Sequence, residues 1–371
     1  MKTKRLQKNK CTIIASLLFI LFLGGCASDC DNTAQTGKAV PQQTFKWKLV
    51  TTWPKHFPGL GSAPENFAKA VNEMSNGRLQ IKVFGAKELV PAMEVFDSVS
   101  RGAAEMGHGA AYYWKGKSPA AQFFTVVPFG LNAQEMNGWL HYGGGLELWR
   151  ELYGQFNLVP FAGGSTGVQM AGWFNKEINS VADLKGLKMR IPGLAGEALQ
   201  RLGGIPVNLP GGEIFTALQT GAIDATEWVG PYNDLTFGLH KAAKYYYYPG
   251  WHEPGSMLEF IVNKDQWNKL PDDLKAIVTY AARAINQDML DEYTARNNIA
   301  LQKLINEHGV QVKHLPDDVL KALKQASNEV IAENIEKDPF AKKVYQSFKA
   351  FSNGVIPYTE ISEKAYIDAR Q

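Results

Sequence analysis

The chain has 371 residues and a formal charge of +3, from 39 Lys and Arg against 36 Asp and Glu. Five of those bases fall among residues 1–25, which hold no acid. The rest carries 34 bases against 36 acids, a balance that does not steer toward nucleic acid. The only cysteines are Cys11, Cys26 and Cys30, so the body from Phe45 onward has no disulfide framework, thiolate metal centre or cysteine nucleophile.

Residues 1–25 read as a signal sequence. Lys2, Lys4, Arg5, Lys8 and Lys10 form a basic start, and Thr12 to Leu23 form an apolar run too short to span a bilayer. Leu23-Gly24-Gly25-Cys26 follows in the order of a lipobox, with Cys26 as the lipidated residue. Ordinary cleavage and an uncleaved anchor are the competing readings. Residues 26–44 are polar and read as a flexible tether. A periplasmic location with a lipid anchor at Cys26 is expected. No later apolar run is long enough to cross a membrane.

The body alternates strand and helix patterns. Phe45 to Val50 alternates as a strand; Phe67, Ala68, Val71 and Met74 mark a helix over Pro64–Met74; Leu79 to Phe84 alternates again. A helix over Glu94–Ala103 and a strand starting at Glu105 complete a βαβαβ opening, which predicts an α/β lobe with a mainly parallel sheet. The pattern restarts after Val159. Strands are expected at Phe161–Gly163, Gln169–Phe174, Leu187–Ile191, Pro206–Leu209 and Leu258–Asn263, with helices at Ala195–Leu202 and Gly212–Thr220. Tyr245–Tyr248 reads as a buried strand near a hinge. From Pro271 the chain is almost all helical, and Pro316-Asp317-Asp318 opens one helix with acids in its first turn. About 325 residues exceed one small core, so two lobes are expected. The first takes residues 45–167 with 258–295. The second takes 168–257 with 296–350, and 351–371 form a C-terminal extension.

Three polar residues stand out in apolar surroundings. Arg190 ends the run Leu187-Lys188-Met189-Arg190-Ile191 before a Pro-Gly turn, where a planar guanidinium suits a bidentate carboxylate. Gln169 brings an amide into Val168–Phe174, and Glu227 brings a carboxylate before Trp228. Taken singly, a paired strand Gln, a solvated Arg and a surface acid are the plainer readings. Together, a guanidinium, a carboxylate and an amide oxygen can hold a small acid and a hard cation, because the cation removes the repulsion between Glu227 and an anion.

At these residues the chain resembles the extracytoplasmic solute receptors of TRAP (tripartite ATP-independent periplasmic) transporters, over nearly all of residues 45–350. The resemblance implies an α/β, two-lobed periplasmic-binding-protein-like fold with a cleft between the lobes and long C-terminal helices. The segments GLKMRIPG, GVQMAGWFNKEI, DATEWVGPYND and YYYYPGWHEPG are similar to the branch that binds 2-oxo or 2-hydroxy monocarboxylates with a metal ion. The likeness implies that Arg190 holds the ligand carboxylate. It also implies that Gln169, Glu227 and the Trp228 carbonyl hold Na⁺ or Ca²⁺. Tyr112 and Tyr113 are expected to reach the ligand from the first lobe, and Trp228 and His252 to line its pocket. His252 stands where a second Trp is expected, which bears on pocket shape. Trp114 is expected in packing only. The implied partners are a small organic acid and the TRAP permease subunits; the long C-terminal helices could bridge the lobes or meet a second copy, with packing on the sheets the plainer reading of their periodicity.

Two other function classes compete: a ligand-sensing receptor domain for a signalling partner, and an enzyme acting on small organic acids. The chain has no nucleophile elbow, dinucleotide fingerprint or His-rich metal motif. Its seven histidines, at 56, 108, 141, 240, 252, 308 and 314, lack ligand spacing. Both features favour a non-enzymatic binding protein.

Overall fold

The computed structural model describes residues 43–370. The expected signal sequence, Cys26 and residues 27–42 of the tether lie outside them. The chain runs β1 (Phe45–Thr51), α1 (Ser62–Met74), β2 (Leu79–Phe84), α2 (Val95–Ser100) and β3 (Met106–Gly109). It continues with α3 (Gln122–Thr125), α4 (Ala133–Tyr142), α5 (Gly145–Gly154), β4 (Leu158–Ser165), β5 (Gly172–Phe174), β6 (Lys188–Arg190), α6 (Gly193–Arg201) and β7 (Ile205–Val207). Next come α7 (Gly211–Gln219), β8 (Ala225–Thr226), α8 (Pro231–Phe237), β9 (Tyr245–Tyr248) and β10 (Met257–Asn263). The last elements are α9 (Lys264–Lys269), α10 (Asp272–Asn306), β11 (Gln311–His314), α11 (Asp317–Lys337), α12 (Pro339–Thr359) and α13 (Ala365–Ala369).

The strands form two sheets. The first has the order β2-β1-β3-β10-β4 and the second β11-β9-β5-β8-β6-β7. β1 pairs in parallel with β2 and β3, as a βαβαβ opening requires, while β10 runs antiparallel to β3 and β4. In the second sheet β5 is antiparallel to β8 and β9, and β6 is parallel to β7 and β8. The chain therefore crosses from one sheet to the other after β4, after β9 and again through α10. Residues 166–171 and 249–256 are the two short crossings.

Local chemistry accounts for the main elements. In α1 the buried Ala63, Pro64, Phe67, Ala68 and Val71 follow helical spacing, and Pro64 falls in the first turn, where its missing N–H costs nothing. α10 starts after Pro271 with Asp272 and Asp273 at the positive end of its dipole. Its 35 residues reach about 52 Å. It buries Leu274, Val278, Ala281, Ala282, Ile285, Met289 and Tyr293 along one stripe. It packs on α1 and β4, and also on α8 beside the second sheet. The expected lobe boundary at 295/296 falls inside this unbroken helix. α11 packs on α6, whereas α12 lies on α4 and α5.

Several elements differ from the sequence expectation. The helix expected over Glu94–Ala103 is α2 alone, preceded by a 3-10 turn at Ala92–Glu94; it stops before Gly102, whose φ is +76°. The strand expected from Gln169 begins only at Gly172, because residues 169–171 belong to a crossing. β11 interrupts the helical C-terminal region. Tyr246 and Tyr247 of β9 are buried, but Tyr248 is exposed.

Candidate ligand and cation site

The two short crossings and the ends of β6 and β8 meet at one place. Arg190 is the last residue of β6 and is buried. Glu227 follows β8 and is also buried; its N–H donates to the Arg190 carbonyl at 3.2 Å. Gly172 lets β5 approach that turn: at its φ of +121°, an added Cβ would lie 2.3 Å from the Thr226 carbonyl oxygen. Just before it, Met170 N–H donates to the Val229 carbonyl at 3.1 Å, laying Gln169 beside the Glu227–Val229 turn. The second crossing closes on the first. Gln169 N–H donates to the Glu253 carbonyl at 3.1 Å, and Thr166 N–H to the Ser256 carbonyl at 3.1 Å. Gly250 permits this, because a Cβ there would lie 2.0 Å from the Gln169 carbonyl oxygen.

The Arg190 fork is engaged within the protein. Nη1 donates to Glu227 Oε1, Nε to the Leu209 carbonyl at 3.2 Å and Nη2 to the Tyr113 hydroxyl at 3.1 Å. The guanidinium also lies 5.2 Å from the Trp228 ring centre. Burial pulls its pKa down, yet Glu227, the two tyrosines and Glu253 leave it raised, so Arg190 is charged.

Tyr112 and Tyr113 come from a 3-10 turn at Ala111–Trp114, after β3 of the first sheet. Burial raises both hydroxyl pKa values, and Tyr112 also feels Glu253 and Glu227. Both phenols are neutral hydrogen-bonding groups. The Trp228 ring is buried against Trp53, Phe57 and Phe237. His252 is fully buried, with Nε2 3.5 Å from Glu227 Oε2. All seven residues singled out by sequence thus gather here; Trp114 packs edge-on against Tyr113, and its Nε1 donates to Glu259.

Sequence reasoning missed Glu253. Its carboxylate accepts from Gln169 Nε2 at 2.7 Å and from Ser256 Oγ, and its pKa is raised to about 7, chiefly by burial and then by Glu227. Glu227, His252 and Glu253 bring one potential ligand atom each within 4.8 Å of one another. An acid in the Pro- and Gly-rich segment Pro249–Gly255 was the available signal.

The donor set fits a hard cation. Gln169 Oε1 and Glu227 Oε2 are buried and accept no hydrogen bond, which is costly unless something else binds them. Glu227 already pairs with the guanidinium, so an added anion needs a further positive charge. Beside the cluster lies a cavity of about 130 Å³ lined by Tyr112, Tyr113, Ile191, Pro192 and Asn208. A larger one, about 410 Å³, lies between α4 and α10 and touches none of these residues. Charge and unpaired oxygens, not size, decide between them.

The family profile DctP, described as bacterial extracellular solute-binding protein, family 7, matches residues 49–338. A monocarboxylate 2-oxoacid-binding periplasmic protein of Nostoc sp. is 47% identical over 335 residues, covering 90% of this chain and 91% of that protein. A TRAP periplasmic solute-binding protein of Colwellia psychrerythraea, crystallised with calcium and pyruvate, is 47% identical with a TM-score of 0.86, covering 88% of this chain and 100% of that one. Its counterpart from Pseudoalteromonas atlantica, crystallised with sodium and pyruvate, is 46% identical with a TM-score of 0.86, covering 88% and 99%. No helix of the described residues is long and apolar enough to cross a membrane. With the profile matching most of its length and a relative 47% identical over 90% of it, the chain belongs to the DctP family of bacterial extracellular solute-binding proteins.

Proposed function

We propose that this protein captures a small 2-oxo or 2-hydroxy monocarboxylate, pyruvate or lactate in kind, together with Na⁺ or Ca²⁺, for delivery to a TRAP permease. The observation that carries the reading is the pair of unpaired buried oxygens, Gln169 Oε1 and Glu227 Oε2, beside a buried guanidinium. Gln169, Glu227 and the Trp228 carbonyl hold the cation. When bound, that ion supplies the positive charge that lets an acid sit next to Glu227. Arg190 binds the acid's carboxylate, Tyr112 and Tyr113 donate from the first-sheet side, and His252 shapes the far wall. The site binds and releases; it performs no reaction.

The two sheets are the cores of the two lobes, residues 45–167 with 258–263 and residues 168–257; α10 runs along both, α11 packs on the second, and α12 packs on α4 and α5 of the first rather than within 296–350 of the second. The crossings on which Gln169, His252 and Glu253 sit form the hinge, while the expected extension from 351 begins inside α12. The motif at Cys26 supports a lipid anchor holding the receptor near its permease. Exposed Tyr358, Ile361 and Tyr366 support a dimer through the C-terminal helices.

Thermal denaturation tests the reading. Pyruvate with Ca²⁺ or Na⁺ at about 100 times the dissociation constant should stabilise the fold by about 2.7 kcal/mol. Absence of any shift with every 2-oxo and 2-hydroxy monocarboxylate tried, with either cation, overturns it.

A further inference from the structure

We propose that Glu253 is a positioning residue: it aims the Gln169 amide oxygen at the cation. The inference rests on the cation reading above.

An amide has two ends of nearly equal size and opposite polarity, so its direction must be set by its partners. Gln169 Nε2 donates to Glu253 Oε2 at 2.7 Å and to Thr166 Oγ1 at 3.2 Å. The same Glu253 oxygen accepts from both Gln169 Nε2 and Ser256 Oγ, so the nitrogen end of the amide faces Glu253. The oxygen end is then turned away, buried and without a partner. Ser256 Oγ donates to the same Glu253 oxygen and holds the carboxylate in place. The backbone fixes both residues, through Gln169 N–H to the Glu253 carbonyl and the close approach at Gly250. Without Glu253, a half-turn of the amide would present N–H groups to the cation, at little steric cost. An outer partner that orients a metal ligand is worth about 10–100-fold in metal affinity.

The test is Ca²⁺ titration by calorimetry at saturating pyruvate, on folded variants checked by circular dichroism. Glu253→Leu should weaken Ca²⁺ about 10–100-fold. Glu253→Gln should stay within a few-fold of wild type, because the new amide oxygen still accepts from Gln169 Nε2. Gln169→Glu should lose affinity, since it opposes two carboxylates. Combining Gln169→Glu with Glu253→Gln should recover much of that loss, because a donor again faces position 169. Should Glu253→Leu fail to fold, this recovery and the smaller loss expected for Thr166→Val still decide the matter. Equal losses for Glu253→Leu and Glu253→Gln, or no recovery in the double variant, overturn the proposal in favour of a role through charge alone. Wild-type affinity in Glu253→Leu overturns it outright. A wild-type protein that binds neither cation sinks the reading on which it rests.

Discussion

Two histidines are fully buried, and they live in different regions of the molecule. His108 lies on β3 in the core of the first sheet. Trp53 Nε1 donates to its Nδ1 at 2.8 Å, so its Nε2 carries the proton and donates to the Gly163 carbonyl at 3.0 Å. Burial lowers its pKa to about 4, partly opposed by the Gly163 bond, so the ring stays neutral. His252 lies on the second crossing, and neither of its nitrogens has a hydrogen bond. Glu227 and Gln169 beside it each keep an unpaired buried oxygen. One buried imidazole is fully paired and the other is not.

The strongest way to break this comparison is at the site. Arg190→Ala removes the guanidinium that faces two buried carboxylates, and breaking such a pair costs about 3–5 kcal/mol. Pyruvate affinity should vanish in calorimetry, and Arg190→Lys should already weaken it because the planar fork is lost. Unchanged affinity in Arg190→Ala would remove Arg190 from the site.

In the core, His108→Leu orphans Trp53 Nε1 and the Gly163 carbonyl, at about 1–3 kcal/mol for each unmet group. Urea denaturation should show that loss, while the folded variant keeps its pyruvate affinity. Lost affinity at unchanged stability would place His108 in the site.

Glu259, on β10 of the same core, sharpens the contrast through pH. Burial raises its pKa to about 7, opposed by the hydrogen bond from Trp114. The native state then binds more protons than the unfolded chain from about pH 4.5 to about pH 7, so stability falls as pH rises through that window. The slope is at most about 1.4 kcal/mol per pH unit for one group. Burial raises Asp234 to about 7 as well, with the same sign. Glu259→Gln should flatten part of the slope between urea midpoints at pH 5 and pH 8. An unaltered slope would mean that Glu259 ionises freely.

The smallest effect is expected at His252. An imidazole leaves more room than an indole, so His252→Trp should shift preference toward the smaller of two acids by about tenfold or less. An unchanged ranking of pyruvate against longer 2-oxo acids would make His252 purely structural.

The sequence carried the site further than the fold around it. β1 and β2 were legible because apolar alternation and burial coincide, β10 because its mostly apolar run is buried throughout, and α1 and α10 because their apolar residues keep helical spacing. Asn132 and Glu135 form a capping box that opens α4, a signal present in the sequence but not used. β11 was hidden because Gln311-Val312-Lys313-His314 has no buried face of its own and takes its conformation from parallel pairing with β9. Gln169 read as part of a strand because its neighbours are apolar, although Val168 beside it is exposed and the segment is a crossing rather than a strand. Arg190, Glu227 and Trp228 were found by chemistry and resemblance together. Glu253 escaped because an acid beside prolines and glycines looks like a surface turn until Gln169 is seen against it.

The central claim is that a cation and an acid bind as one unit at Gln169, Arg190 and Glu227. The direct test is calorimetric titration of a rigorously metal-stripped protein with pyruvate, alone and with Na⁺ or Ca²⁺. The account predicts feeble binding without a cation and tight binding with one. Isotherms that coincide with and without the cation would contradict it.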